Sequence, residues 1–544
     1  MERRTLLKGI AAGVSSLYLS KSYAGRLLKA PYAAPAFKPT WDSLTQYQVP
    51  DWFRDAKFGM WAHWGPQCQP ERGDWYARGM YQEGSDQYKY HCEKYGHPSK
   101  FGFKDVINDW KAENWNPDEL VGLYKKAGAK YFMALANHHD NFDLYNSTHQ
   151  PWNSTRIGPK KDLIRGWANA AKKYDIPFGV SIHAAHAWSW LEPSQRADKN
   201  GPLAGVPYDG KLTKADGNGK WWQGEDPQEL YAQNHPLSMN SLNDGTIHSQ
   251  WNWGNGVTPP STEYCEKFYK RTIELIDKYG VEILYFDDTA LPLWPVSDAG
   301  LRIAAHLYNT SIKKHGKLNA VIFGKILNEQ QRKCMVWDIE RGQSNQIESF
   351  PWQTDTCIGG WHYDRRIYEN GSYKSAKTVI QTLVDIVSKN GNLLLNIPVR
   401  GDGTIDDKER TVVEGIADWM HLNSESIYGT RPWKIFGEGP AIASSAPLSA
   451  QGFNEGKGKP FVAEDIRFAT KGKTLYATMF GWPTNQQIDI KALNTNSGRV
   501  EQIALLGNGQ KLSFKQTADG LMINLPDQPV GAHAFVLKIE GSIT

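Results

Sequence analysis

Tyr131-Phe132-Met133-Ala134-Leu135-Ala136-Asn137-His138-His139-Asp140 decides the fold: six apolar residues run without alternation and stop at four polar ones. A run with no polar residue at every second position suits a strand buried on both faces of a parallel sheet. The signature recurs in both directions. Phe58 to Ala62 ends at His63-Trp64-Gly65, Pro177 to Ile182 at His183, and Ile283 to Phe286 at Asp287-Asp288. Cys334 to Trp337 leads into Asp338-Ile339-Glu340, and Leu393 to Leu395 ends at Asn396. Helical patterns lie between the runs. Asn116-Pro117-Asp118-Glu119 is an N-cap, a proline at the first helical position and acids in the first turn, followed by Leu120 and Leu123. Glu263 to Tyr279 sets Phe268, Leu275, Ile276 and Tyr279 on one face and stops at Gly280. Strand and helix alternating over about 400 residues predict an α/β fold, a (β/α)8-type (TIM-like) barrel over 25–435, with its catalytic face at the strand C-terminal ends.

Past Trp433 the texture changes. Residues 436–460 are rich in Gly, Ala, Ser and Pro and read as a linker. Short strand-like segments follow at Ile466–Thr470, Thr474–Met479, Ile488–Ile490, Ile503–Leu506, Leu521–Leu525 and Ala534–Leu537, with turns such as Lys471-Gly472-Lys473. They predict a C-terminal antiparallel β-sandwich over 461–544. Gly201 to Trp251 is a polar, glycine-rich insertion expected near the barrel mouth.

Residues 1–24 read as a bacterial twin-arginine export signal. Arg3-Arg4 precede a weakly apolar run, Gly9 to Leu19, and Ser22-Tyr23-Ala24 resembles a cleavage site. The expected destination is the periplasm or the exterior. Sixty-two basic against 58 acidic side chains give a net charge of +4, and four of those bases, partly offset by Glu2, lie in the signal. The remainder is nearly neutral, which excludes a nucleic-acid partner held by bulk electrostatics. No stretch of 18 apolar residues occurs, so no membrane span is expected. Hydrophobic and charged fractions of 40% and 22% exclude a disordered chain. The five cysteines lack CxxC pairing and read as mostly buried thiols, not a zinc site. Twenty-two Trp and 25 Tyr offer flat faces for stacking on sugar rings or for an aromatic core.

Carboxylates, histidines and tryptophans on one barrel face suggest glycosidic bond hydrolysis, which needs one carboxylate as nucleophile and another as acid, then base. Asp287, Asp288, Asp338 and Glu340 are the candidates. Asp287 follows the apolar run directly and points into the bowl, whereas Asp288 faces away and caps the following helix. His63, His138, His139, His183 and His186 can hydrogen-bond sugar hydroxyls. No metal or cofactor is expected, because the first strand offers His63 alone and not a His-x-His pair.

Longer segments carry a family resemblance. Trp52-Phe53-Arg54-Asp55-Ala56-Lys57-Phe58-Gly59-Met60-Trp61-Ala62-His63-Trp64-Gly65-Pro66, with Asp74-Trp75-Tyr76-Ala77-Arg78, resembles the opening signature of the α-L-fucosidases of glycoside hydrolase family 29. His138-His139-Asp140-Asn141-Phe142 is similar to that family's HHDGF segment, and Tyr285-Phe286-Asp287 to its W-x-D nucleophile motif. Asn390 to Asn396, Asp402-Gly403-Thr404-Ile405 and Asn423 to Tyr428 resemble its later motifs in the same order. The resemblance covers about residues 40–435. It implies a retaining exo-glycosidase that removes terminal α-L-fucose from a carbohydrate through a covalent intermediate, with Asp287 as nucleophile. It implies a sugar pocket lined by His63, Asp74, Trp75, His138 and His139, with Tyr285 and Trp361 as aromatic walls. Glu340, upstream of Trp352-Gln353, is the implied acid/base, with Glu348 as runner-up, and Arg341 can pair with a carboxylate or a sugar hydroxyl. The chain departs from the family pattern at Asp74, where glutamate is usual, and at Asn141, in place of glycine. Ser181-Ile182-His183 replaces a common Tyr-Tyr-Ser, so His183 or His186 takes over a tyrosine contact. Such changes open an α-L-galactosidase variant, since L-galactose adds one hydroxyl to fucose. A non-catalytic carbohydrate-binding protein and a metal-dependent amidohydrolase are the rival classes.

Overall fold

All six apolar runs become strands of one closed parallel barrel, and two further strands complete it. In the computed structural model, which describes residues 37–239, 253–254, 256–442 and 454–543, the order is β1 (Phe58–Ala62), β2 (Tyr131–Asn137), β3 (Phe178–Ile182), β4 (Ile283–Phe286), β5 (Val321–Gly324), β6 (Val336–Glu340), β7 (Trp352–Cys357) and β8 (Gly391–Asn396), with β8 closing on β1. The expected export signal lies outside the described residues, as do parts of the expected insertion and linker. β5 and β7 are additions to the sequence reading. β7 is Trp-Gln-Thr-Asp-Thr-Cys, wholly buried although mostly polar, and so shows no apolar run. β6 continues through Asp338 to Glu340, past the end of its apolar segment.

Among the described residues, the longer helices around the sheet include α1 (Pro117–Lys126), α2 (Leu163–Lys173), α3 (Thr262–Tyr279), α4 (Ala299–His315), α5 (Ala376–Ser388) and α6 (Asp407–Asn423). α1 starts where Asn116 accepts the Glu119 N–H at 3.3 Å, and it buries Leu120, Val121 and Tyr124. α3 is capped by Ser261 and ends at Gly280 with φ 66°, a left-handed conformation that suits glycine. Its buried face includes Phe268, Leu275, Ile276 and Tyr279, as expected. Among the described residues, β5 and β6 are joined by a 3-10 turn, Gln331–Lys333, and β6 and β7 by a loop without an α-helix. Gly59 on β1 has a packing reason: a Cβ there would lie 2.3 Å from the Tyr131 ring, which fills the barrel interior.

The C-terminal part folds as two antiparallel sheets. β9 (Gly437–Glu438), β10 (Ile466–Lys471), β11 (Thr474–Met479), β13 (Gly498–Leu505) and β16 (Phe535–Ile543) form one, in the order β13-β16-β11-β10-β9. β12 (Gln487–Ile490), β14 (Phe514–Gln516) and β15 (Leu521–Asn524) form the other. Burial alternates along β12 and β15, the pattern of sheets with one wet face, and Phe468, Leu475, Ile490, Ile523 and Leu537 pack in a core of their own. Arg467 of β10 reaches Asp385 of α5 (Nε–Oδ1 2.5 Å), beside Lys389 (Nζ–Oδ2 2.6 Å), all buried. Burial opposes the charge on Asp385, but these two cations hold its carboxyl below the usual range. All five cysteines are free thiols, four of them buried. Among the described residues, no helix is long and apolar enough to cross a membrane.

Candidate active site

Alternation along a barrel strand sends every second side chain inward, and the last inward residues form the floor and walls of a pocket. β1 and its following loop contribute Trp61, His63, Asp74 and Trp75; β2 and β3 contribute His138 and His183; β4 contributes Tyr285 and Asp287. Lys325 follows β5, Glu340 and Arg341 end β6, Asp355 lies in β7, and Trp361 and His362 follow it. The Trp61 ring lies 4.9 Å from Tyr285 and 5.4 Å from Trp361, a continuous aromatic wall. Asn396, the last residue of β8, ties the rim together by accepting the His63 backbone N–H at 2.9 Å and donating to the Trp361 carbonyl at 2.9 Å.

Lys325 organises the acids. Its ammonium contacts Asp287 Oδ1 at 2.5 Å and also Glu340 Oε2, so these two oxygens lie within about 5 Å of each other. Asp287 Oδ2 faces His139 Nε2 at 3.0 Å and His183 Nδ1 at 3.2 Å. Burial works against an ionised Asp287, yet Lys325 and the two imidazoles outweigh it and hold the carboxyl well below the usual range. The same carboxylates hold the Lys325 ammonium well above the usual lysine range despite its burial. Asp287 is therefore a carboxylate wherever the protein is folded near neutrality.

The histidines divide by tautomer. Gln67 Oε1 accepts the Ala77 N–H (3.2 Å) and its Nε2 donates to Asp140 (3.1 Å), which orients the amide so that Nε2 also donates to His138 Nδ1 at 2.7 Å. The His138 proton then sits on Nε2, a donor. Burial and the neighbouring imidazoles push His138 and His63 well below the usual histidine range, and burial takes His183 down to about 4, so all three are neutral at pH 7. Neutral His183 donates from Nδ1 to Asp287 and leaves Nε2, which has no protein partner, as an acceptor. Both ring nitrogens of His63 and of His362 are buried and lack a protein hydrogen bond. A buried polar atom left this way costs about 1–3 kcal/mol, a cost that ligand hydroxyls relieve. Trp75 and Arg341 hold positive φ angles of 64° and 44°, unusual for bulky side chains.

Eight of the expected sugar contacts line the pocket: His63, Asp74, Trp75, His138, His183, Tyr285, Arg341 and Trp361. Two do not. His139 stands behind Asp287, its Nδ1 donating to the His183 carbonyl at 2.7 Å, so it braces the carboxylate and does not face the cavity. His186 is turned away by the 3-10 turn Ala184–His186, stacks on Trp253 (4.7 Å) and meets Asp288 Oδ2 at 3.2 Å. Asp288 faces away as expected, but it accepts the Thr289 N–H at 2.6 Å in the following loop and caps no helix. Asp74 accepts the backbone N–H groups of Trp361 (3.2 Å) and His362 (2.6 Å), pinning that loop. Glu348, the runner-up acid, is carried to the far end of the barrel, where its N–H donates to the Lys389 carbonyl at 3.2 Å ahead of β8. Arg341 pairs with Glu455 (3.3 Å), a residue of the expected linker that returns to the barrel mouth.

Sequence reasoning missed Lys325, Asp355 and His362. Lys325 was discoverable, since it follows the apolar run Val321-Ile322-Phe323-Gly324. Asp355 was not, because nothing in the polar β7 announces a strand. Two groups of histidines, His63-His138-His362 and His138-His139-His183, present ring nitrogens within 4.8 Å of one another. The His138 tautomer argues against a metal in either, because its Nδ1 is occupied by Gln67 and its Nε2 carries the proton.

A family model described as alpha-L-fucosidase matches residues 27–425, and one described as alpha-L-fucosidase C-terminal domain matches 459–540. The tissue alpha-L-fucosidase of Rattus norvegicus is 24% identical, the match covering 97% of each chain. That of Homo sapiens is 25% identical, over 93% of this chain and 92% of the relative. A solved alpha-L-fucosidase superposes with a TM-score of 0.69 at 25% identity, covering 93% of this chain and all of the other. The Thermotoga maritima alpha-fucosidase in complex with fucose gives a TM-score of 0.66 at 25% identity, covering 92% and 99%.

Proposed function

The chain belongs to the α-L-fucosidase family and is a glycoside hydrolase, and on that premise we propose that it is an exo-acting enzyme that releases terminal α-L-fucose with retention of anomeric configuration. Asp287 attacks the anomeric carbon while protonated Glu340 delivers its proton to the leaving oxygen. Ionised Glu340 then takes a proton from water, which displaces Asp287 and frees the sugar. One observation carries this reading: Asp287 and Glu340 touch the same ammonium, which fits the ~5–5.5 Å separation of a retaining pair and leaves no room for the water an inverting pair needs. The same closeness counts against a binding-only protein, which needs no such pair. His138 Nε2–H donates to a sugar hydroxyl, His183 Nε2 accepts from one, and the Trp61-Tyr285-Trp361 wall takes an apolar ring face. The test is Asp287→Ala on nitrophenyl α-L-fucoside. Turnover is expected to fall to background and azide to restore it, yielding the β-fucosyl azide; ordinary hydrolysis by the variant overturns the assignment.

A specific observation favours a second reading. Beyond the aromatic wall the pocket is polar, and both ring nitrogens of His63 and Nε2 of His362 make no protein hydrogen bond, while His362 Nδ1 faces Asp74 at 3.5 Å. A pocket built to bond an extra hydroxyl rejects a sugar lacking it strongly. An α-L-galactosidase of the same mechanism is tested by comparing kcat/KM on the nitrophenyl α-L-galactoside and α-L-fucoside. Export by the twin-arginine route is part of the proposal and predicts a mature chain that begins at Gly25, read by N-terminal sequencing of the exported protein.

A further inference from the structure

Below Glu340, the barrel interior holds two more carboxyl groups that the proposed reaction does not use. Asp338 and Asp355 lie on adjacent strands, both wholly buried, within hydrogen-bond reach of each other. A chain of donors runs through them. Tyr131 donates to Gln353 Oε1 at 2.7 Å, and Gln353 Nε2 donates to Asp338 Oδ1 at 2.8 Å. From the other side, Tyr285 donates to Asp355 Oδ2 at 2.7 Å. Each carboxyl thus has one oxygen satisfied, and the other two, Asp338 Oδ2 and Asp355 Oδ1, meet no N–H or O–H of the protein. Two facing carboxylates in a dry interior cannot both be ionised, and a single proton between them satisfies both orphaned oxygens.

We propose that Asp338 and Asp355 share one proton and that the single negative charge left on the pair makes them positioning residues, which keep Glu340 able to hold the proton it donates. This rests on the acid/base role of Glu340 under the proposed function. The charges around Glu340 support it. Asp355 is its register partner across β6 and β7. Lys325 contacts Glu340 and Asp287 and lies near Asp355. Tyr285 donates to the pair and Tyr131 to Gln353 beside it, both as neutral phenols, and Arg341 is taken up by Glu455. The negative charge of the acid pair counters the Lys325 ammonium on the side facing Glu340. Burial and the adjoining carboxylates hold Asp338 well above the usual carboxylate range and Asp355 up to about 7, in line with a retained proton.

The test compares Asp355→Asn and Asp338→Asn with the double variant. In either single variant the new amide donates to the remaining carboxylate, so the pair keeps its charge of −1; in the double variant the hydrogen bond survives and the charge is gone. The basic limb of kcat/KM on nitrophenyl α-L-fucoside, which reports Glu340, should stay in place in both single variants. In the double variant it should move to lower pH by about one unit. A limb already displaced in Asp355→Asn, or unmoved in the double variant, overturns the proposal. Infrared spectroscopy supplies a readout that needs no activity. The protonated-carboxyl intensity at pH 7 should be smaller by one carboxyl in each single variant than in the wild type, Glu340 and buried Glu409 contributing equally to all, and an undiminished intensity refutes the shared proton. Should the wild type cleave no fucoside, the proposed function fails while the band still decides the pairing.

Discussion

Replacing Lys325 by methionine removes the one ammonium that touches both Asp287 and Glu340. Two unit charges ~4 Å apart interact by about 4 kcal/mol at the effective dielectric of a partly wet site, equivalent to about three pH units. Water entering the vacated space screens the residual repulsion, so about two units is the expected effect on Asp287. The sign follows from the direction of the native shift. Lys325 holds the Asp287 carboxyl down, so without it protonation begins at higher pH and the acid limb of kcat/KM rises by about two units. Stability follows the same linkage. A depressed carboxyl stabilises the fold above its unfolded pKa of ~3.9, and that stabilisation disappears as pH falls through the folded value. The variant should therefore be less stable than the wild type by about 3–5 kcal/mol at pH 7, with the gap narrowing below pH ~4. Steady-state profiles from pH 3 to 9 and urea unfolding at several pH values measure both quantities. Lys325→Arg keeps the charge and should return the acid limb to within about half a unit of the wild type. An unmoved acid limb in an active Lys325→Met variant refutes the reasoning, because the ammonium would then not be what keeps Asp287 ionised.

Three further outcomes are expected. Gly59→Ala forces a methyl to 2.3 Å from the Tyr131 ring and should cost about 1–3 kcal/mol in chemical denaturation. Arg467→Met leaves buried Asp385 with Lys389 alone; about 3 kcal/mol should be lost at pH 7 and less below pH ~4, while KM on the fucoside is unchanged. Glu348→Gln should keep kcat/KM within about twofold, since that carboxylate lies at the far end of the barrel, and a loss of a hundredfold or more would restore it as the acid.

Legibility followed apolar content. Where a strand is sandwiched between helices and a barrel interior filled with hydrocarbon, its run of apolar residues announces it, and His63, His183 and Asp287 follow as the first polar residues beyond. β7 breaks the rule because its inward residues, Gln353 and Asp355, belong to a buried polar chain and not to an apolar layer. Asp338 suffered the same way: on paper it stands at a strand end beside Glu340, yet it sits within β6, one inward step below the pocket. His186 was misplaced for a different reason. Three residues past His183, it lies beyond a tight turn whose direction no local pattern encodes.

The sequence by itself determined the barrel, the sandwich that follows it and the strand ends where the acids gather, because burial on both faces leaves a one-dimensional trace in side-chain polarity. It also placed Asp287 and Glu340 on strands that pair only through others. Tertiary structure alone decided how those carboxylates are charged. Lys325, 38 residues from Asp287 and 15 from Glu340, has no local signal tying it to either, and closing the barrel puts one ammonium between them. Electrostatic energy depends on separation in space and on what water is excluded, and both are set only once the eight strands close.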